Sequence, residues 1–254
     1  MNNRMILTPL FLDQLRPGLK ELAEADWRIN EPDLPVGDVQ QRMIAVHQPL
    51  SELVKTAVLS GERPLSIAGD CCTTIGVLAG LQKAGMDPTL IWFDAHGDFN
   101  TWETSPSGFL GGMPLAMLVG RGEQTMGEGV GLAPLSESWV ILTDARDLDP
   151  QEAQTVEASA VMHLPDVTDL LEMPLPAGPL YIHFDVDVID VADAPAMSYP
   201  APGGPSVANL AEVFDRLAAS GQVAAVSVSA WNPELDGDGR SRKVSMELLS
   251  RLVS

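Results

Sequence analysis

Basic residues are scarce in this chain of 254 residues: 15 Lys and Arg stand against 35 Asp and Glu, a formal net charge of −20. An acidic protein of this kind is disfavoured as a partner of nucleic acid or anionic membrane, both of which repel it. Cysteine is scarcer still. The two present, Cys71 and Cys72, are adjacent; they provide no disulfide framework, and a bridge between neighbours would be strained. Reduced thiols in a cytoplasmic protein are the expectation. No apolar run approaches the ~20 residues needed to cross a bilayer. The opening stretch MNNRMILTPLFLDQLRPG has a short apolar patch, but Asp13 and the lack of a small-residue cleavage context argue against a signal peptide. Internal repeats, low-complexity tracts and interdomain linkers are also missing. The most linker-like segments, 172–178 (EMPLPAG) and 199–205 (YPAPGGP), have the length of surface loops. One large domain spanning residues 1–254 is expected.

What is present is an alternation of short apolar runs with helical segments. Strands are expected at 64–68, 89–93, 139–142, 161–164, 180–184 and 223–228, and helices at 76–84, 113–119, 151–159, 207–220 and 244–253. Strands that are apolar on both faces, separated by helices, imply an α/β fold of three layers with a mainly parallel central sheet. Ligands of such sheets bind beyond the carboxyl ends of the strands. Asp70, Asp94, Asp144 and Asp185 all fall at ends of that kind.

The densest chemistry lies in IWFDAHGDFNTWETSPSGFLGGMP, residues 91–114. Asp94, His96 and Asp98 follow an apolar strand at i, i+2 and i+4, a spacing that puts them on one side of an extended segment. Two carboxylates and an imidazole suit a hard to borderline divalent cation. The chain repeats the device: His183, Asp185 and Asp187 follow the strand start at 180–182 with the same spacing.

Read together and in order, Ala68-Gly69-Asp70-Cys71-Cys72, Asp94-Ala95-His96-Gly97-Asp98, 144–150 (DARDLDP) and Phe184-Asp185-Val186-Asp187 resemble the ureohydrolase family of arginases, agmatinases and formiminoglutamases. The resemblance runs from about residue 64 to residue 233. It implies two Mn(II) ions bridged by a hydroxide that attacks the carbon of a guanidinium or other amidine. Asp94 and Asp185 would bridge the ions, Asp98 would complete one, and His96 and Asp187 the other. Asp98 would also pass a proton to the leaving nitrogen. Asn100 and Ser107 fall where arginases hold the α-carboxylate of the substrate. Asp149 and Glu152 fall where they hold its α-ammonium group. For Asp149 a second reading stands beside this one, as the cap of the helix that follows Pro150.

Three positions depart from the family pattern, all at the chemistry. A histidine ligand is replaced by Cys71, either a softer thiolate ligand that would favour zinc or iron over manganese, or a small buried thiol. Gly111 stands where arginases carry a proton-shuttling histidine, and Ala230 where a Glu would pair with the guanidinium. His183 stands where the family carries a small polar residue; it is read as a catalytic shuttle, as a donor to a ligand carboxylate, or as a histidine satisfied by packing. Trp92 reads as core, and Trp102 and Trp231 as walls of the pocket. The expectation is a metal-dependent C–N hydrolase acting on an arginine-like amino acid with a less basic distal group, N-hydroxy-L-arginine foremost and a formimino acid next. The family also implies a homo-oligomer. The competing expectation is a catalytically degenerate relative that binds metal, ligand or a partner.

Overall fold

A computed structural model describes residues 1–254. Ten strands are formed: β1 (Asn2–Thr8), β2 (Leu10–Phe11), β3 (Gln14–Leu15), β4 (Arg28–Ile29), β5 (Glu62–Ala68), β6 (Thr89–His96), β7 (Val140–Asp147), β8 (Met162–Leu164), β9 (Leu180–Asp185) and β10 (Val223–Ser229). The helices are α1 (Val39–Leu59), α2 (Thr74–Lys83), α3 (Pro114–Leu118), α4 (Thr125–Val130), α5 (Pro150–Glu157), α6 (Asp169–Glu172), α7 (Val207–Ala219) and α8 (Arg240–Leu252). Eight strands join one sheet in the order β4-β1-β5-β10-β9-β6-β7-β8. Every pairing in it is parallel. The remaining two, β2 and β3, make a small antiparallel hairpin.

The alternation of side chains along the strands separates two cores. Leu90 and Trp92 of β6 join Met43, Val46 and Leu50 of α1, Leu78 of α2 and Leu115 of α3 on one face. Ile91 and Phe93 join Leu210, Phe214 and Leu217 of α7 and Leu248 and Leu252 of α8 on the other. That is the three-layer α/β/α arrangement expected, with Trp92 fully buried in the core. Central strands flanked on both faces are apolar throughout because each face needs its own hydrophobic partner.

Two large elements escape the sequence reading. The run 2–8 is not a loose apolar patch but a full strand, paired in register with β5 from Asn2–Glu62 to Thr8–Ala68. The longest helix, α1, carries Pro49 inside it, and an interior proline reads as a helix breaker. Tertiary packing overrides that signal: α1 buries Met43, Val46, Leu50 and Val54, and Asp38 caps its start by accepting from the Gln41 amide.

Candidate active site

The carboxyl ends of β5, β6, β7, β9 and β10 converge on one cavity of about 200 Å³, and Asp70, Cys71, Asp94, His96, Asp98, Asn100, Ser107, Asp149, Glu152, Asp185 and Asp187 all line it. Adjacent central strands of a parallel sheet end side by side, so groups far apart in sequence meet there. The local conformation differs from a simple extended segment. Asp94 and His96 belong to β6, but Asp98 lies past the strand with φ of 48°. Asp187 likewise sits in a 3-10 turn at residues 186–188, after β9 has ended. Turns, and not strand periodicity, bring the last carboxylate of each motif back toward the others.

The backbone holds the carboxylates in place. Asp94 accepts from the His96 amide at 2.7 Å and from the Trp92 indole at 3.1 Å. Asp185 accepts from the Asp187 amide at 2.9 Å and from the Ser229 hydroxyl at 2.7 Å. Asp187 accepts from the Ala95 amide at 3.2 Å, which ties the end of β9 to the end of β6. His96 Nδ1 lies 3.3 Å from Asp94 and 3.1 Å from Asp187. Arg146 braces the turn after β9: its guanidinium donates to Asp144 and to the carbonyls of Asp187, Val188, Ala201 and Pro202.

Electrostatics make the cluster costly without a cation. Burial, then the neighbouring Asp185, pushes Asp94 up; burial, then Asp187, pushes Asp185 well above the usual carboxylate range. Asp98 is driven well up by burial and then by Asp94, and Asp187 reaches about 6 through burial and the charge of Asp94. Burial disfavours a charged His96, yet Asp187 and Asp94 outweigh it and raise the imidazole to about 12. Like charges crowded in a low-dielectric site repel, and a bound divalent cation inverts that balance.

Two groups of potential ligand atoms lie within 4.8 Å of one another: Cys71, Asp94, His183 and Asp185, and Asp94, His96 and Asp187. Asp94 belongs to both. Asp98 stands beside the first group with a buried Oδ2 that has no hydrogen-bond partner. An orphaned carboxylate oxygen is expensive, and a metal ion is what its surroundings fit. The donor set therefore suits a pair of divalent ions.

Cys71 points into this cavity, while Cys72 turns into the core. Burial, then Asp98, Asp185 and Asp94, pushes the Cys71 thiol well up, and it faces the same acidic cluster that lines the cavity. His183 is fully buried, does not line the cavity, and is neutral because burial lowers it to about 3. Its place beside Ser229 and Asp185 fits contact with the carboxylates, not proton exchange with the pocket. Asn100 donates to Asp149 at 3.0 Å, and Glu152 accepts from the Phe99 amide at 2.8 Å and the Asp149 amide at 3.2 Å. Asp149 is also the N-cap of α5, in a capping box with Glu152, as the second of its two readings expects. Ser107 is exposed at the rim and accepts from the Phe109 amide.

Trp102 and Trp231 are not pocket walls: Trp102 donates to Glu123 and Trp231 to Asp236, both away from the cavity. The wall is instead Phe11, Phe109 and Tyr199, with ring centroids 5.1–6.4 Å apart. The sequence held a signal for one of them. A Cβ at Gly111 would lie 2.6 Å from Cζ of Phe109, so the aromatic ring fills the space a side chain there would need.

A sequence model of the Arginase family matches residues 14–254. The chain belongs to the arginase family. The curated arginase of Bacillus subtilis is 32% identical over 223 residues, 83% of this chain and 75% of that protein. The N(omega)-hydroxy-L-arginine amidinohydrolase of Streptomyces lavendulae is 27% identical, covering 89% of this chain and 78% of that one. A crystal structure of the Bacillus subtilis arginase superimposes with a TM-score of 0.84 at 28% identity, covering 100% of this chain and 99% of that one. Formimidoylglutamase from the same species shares the fold, with a TM-score of 0.71 at 18% identity, over 99% of this chain and 86% of that one. This arginase-family chain is a hydrolase of C–N bonds in linear amidines. No helix is long and apolar enough to cross a membrane.

Proposed function

We propose that this chain hydrolyses the distal C–N bond of an arginine-like amino acid whose end group is less basic than a guanidinium, with N-hydroxy-L-arginine as the first candidate. The observation that carries the proposal is the asymmetry of the pocket. The candidate metal ligands and the Asn100–Asp149 pair are present, whereas Ala230 and Gly111, in the same lining, stand in place of a carboxylate and an imidazole. A guanidinium entering a site without a partnering carboxylate loses its hydration without replacement, a cost of several kcal/mol. An N-hydroxyguanidine or formimino group is less basic, gives up its proton more readily and so loses less. The name of the Streptomyces lavendulae relative is consistent with such a substrate.

In this reading Cys71, Asp94, Asp98 and Asp185 would hold one ion and Asp94, His96, Asp185 and Asp187 the other. Manganese is the family's metal; zinc or iron is the alternative that a thiolate favours. When bound, the pair polarises the amidine and lowers the pKa of water at neutral pH. Asp98, beside Cys71 and Asp94 in the cavity, would accept the proton of the attacking water and return it to the leaving nitrogen. Asp149 pairs with the α-ammonium group of the substrate, held in position by the Asn100 amide. Asn100 and Ser107 receive the α-carboxylate, and Glu152 fixes the α5 entrance on which Asp149 sits. The protein is placed in the cytoplasm, assembling with copies of itself. The test is product release by the Mn(II)-, Zn(II)- or Fe(II)-loaded protein from L-arginine, N-hydroxy-L-arginine and N-formimino-L-glutamate. Turnover of the second in preference to the first, lost in Asp98→Asn, is expected. Two bound ions with turnover of none of the three would favour the degenerate reading, which the changes at Gly111 and Ala230 support.

A further inference from the structure

His183 makes an arrangement that a packing role does not require. It projects from β9 between Trp92 of β6, whose ring centroid is 3.9 Å away, and two serines of β10. Nδ1 is 2.8 Å from the Ser227 hydroxyl, which is itself 2.8 Å from the Tyr181 hydroxyl. That chain anchors one side of the ring. The other nitrogen, Nε2, has only the Ser229 hydroxyl, at a long 3.4 Å, and Ser229 already donates its proton to Asp185 at 2.7 Å. In the tautomer that gives Nδ1–H to Ser227, Nε2 is left with a lone pair that only the long Ser229 contact faces. A ligating histidine looks like this: the outer nitrogen hydrogen-bonded so that tautomer and ring orientation are set, the inner one free to coordinate. The ring nitrogen, the Cys71 thiol and carboxylate oxygens of Asp94 and Asp185 all lie within 4.8 Å of one another. Beside them stands the buried, unpartnered Oδ2 of Asp98.

We infer that His183 is a metal ligand through Nε2, and that with Cys71, Asp94 and Asp185 it forms a thiolate–imidazole–carboxylate site selective for a borderline-soft ion of the Zn(II) class. The inference rests on the reading that this cavity binds two divalent ions. The second group, Asp94, His96 and Asp187, offers only oxygen and nitrogen and remains suited to a harder ion such as Mn(II). The two positions then differ in metal preference, and one chain holds an unlike pair.

Co(II) titrated into the chelator-stripped full-length protein is the probe. Wild type is expected to bind two Co(II) per chain, with a thiolate-to-metal charge-transfer band in the near ultraviolet that Cys71→Ser abolishes. His183→Gln is expected to weaken Zn(II) at one of the two positions by more than about 100-fold, beyond the 10–100-fold that loss of an outer hydrogen-bond partner costs. It should also alter the visible Co(II) bands and leave the other position unchanged. Unchanged Zn(II) affinities and Co(II) spectra in His183→Gln would overturn the inference even where Cys71→Ser loses its band. Proton NMR of wild type alone gives an independent reading that needs no variant. Two hyperfine-shifted imidazole N–H signals are expected, one exchanging slowly because Nδ1 of His183 is buried on Ser227; a single fast-exchanging signal, from His96, would refute ligation by His183. Failure of wild type to bind Co(II) would instead sink the two-ion reading, and this one with it.

Discussion

Adding one methyl group at Gly111 tests whether the Phe109 ring has taken the space of a side chain. Gly111 has an ordinary backbone conformation, so alanine there adds no dihedral strain. It does add a Cβ only 2.6 Å from Cζ of Phe109, far inside van der Waals contact, and the ring has to leave. Its departure forfeits contacts with Phe11 at 6.4 Å and Tyr199 at 5.1 Å. Each aromatic pair contributes roughly 0.5–1.5 kcal/mol, so displacement costs about 1–3 kcal/mol. Against this, Gly→Ala at a compatible position stabilises by roughly 0.4–1 kcal/mol through the unfolded chain. The net expectation for Gly111→Ala is a loss of about 1–2 kcal/mol. In a Phe109→Ala background the methyl enters open space, and the same change becomes neutral or stabilising by roughly 0.4–1 kcal/mol. Urea unfolding of the four proteins in the double-mutant cycle reads the coupling directly. An equal effect of Gly111→Ala in both backgrounds would show that Phe109 does not occupy that space.

Three further outcomes follow from other parts of the molecule. Ala230 already carries φ of 65°, so Ala230→Glu brings no new backbone strain and places a carboxylate in the pocket wall. It should raise kcat/KM for L-arginine about tenfold relative to N-hydroxy-L-arginine, about 1.4 kcal/mol; a parallel change for both substrates would contradict the assigned role. Arg146→Gln removes the guanidinium that binds Asp144 and four carbonyls between Asp187 and Pro202. A loss of about 3–5 kcal/mol in urea unfolding and faster proteolysis of residues 189–204 are expected, and an unshifted midpoint would refute the brace. His47 of α1 is fully buried with both ring nitrogens unpartnered, and burial lowers it to about 3. A folded value below the ordinary 6.5 means stability present above pH 6.5 and lost as pH falls toward 3. At pH 5 the deficit is about 2 kcal/mol. The stability difference between His47→Leu and wild type should therefore grow by about 2 kcal/mol in favour of the variant from pH 8 to pH 5, and a constant difference would refute it.

The layered fold was legible because its central strands are apolar on both faces, a pattern that only a doubly covered parallel sheet requires. The site was legible for a related reason: Asp94 and Asp185 follow such strands, and the topology brings strand ends together. What escaped were features carried by packing. Pro49 hid α1, whose stability comes from the face it buries and not from its own propensity. β1 was missed because its evidence lies in its pairings with β5 and β4 and not in its own pattern. The turn geometry at Asp98 and Asp187 has no periodic signature, so spacing alone suggested one flat face where the chain in fact doubles back. The aromatic wall was missed because Phe11, Phe109 and Tyr199 come from three separate segments. Trp102 and Trp231 lay nearer the motifs in sequence but turn outward to Glu123 and Asp236.

Two sets of residues in the cavity differ in kind, and the difference bears on the choice between a changed substrate and a lost activity. Among the candidate metal ligands the protein keeps four buried aspartates that repel one another, with left-handed backbone at Asp98 and, on β7, at Asp144 and Ala145. Each such residue costs of order 1–2 kcal/mol, and the like charges cost more. Asparagine at any of these aspartates would relieve the repulsion with little change in shape. Hydrogen bonds position Asp94, Asp185 and Asp187, and a bound divalent cation would offset the mutual repulsion of the four. At two other positions of the same lining the opposite holds: the places of a carboxylate and an imidazole are held by Ala230 and Gly111, and the Phe109 ring fills the space at the second. Decay would loosen both sets alike. Keeping the most expensive groups while changing only the two positions that would meet the distal group fits the proposal of a different end group better than that of a lost activity.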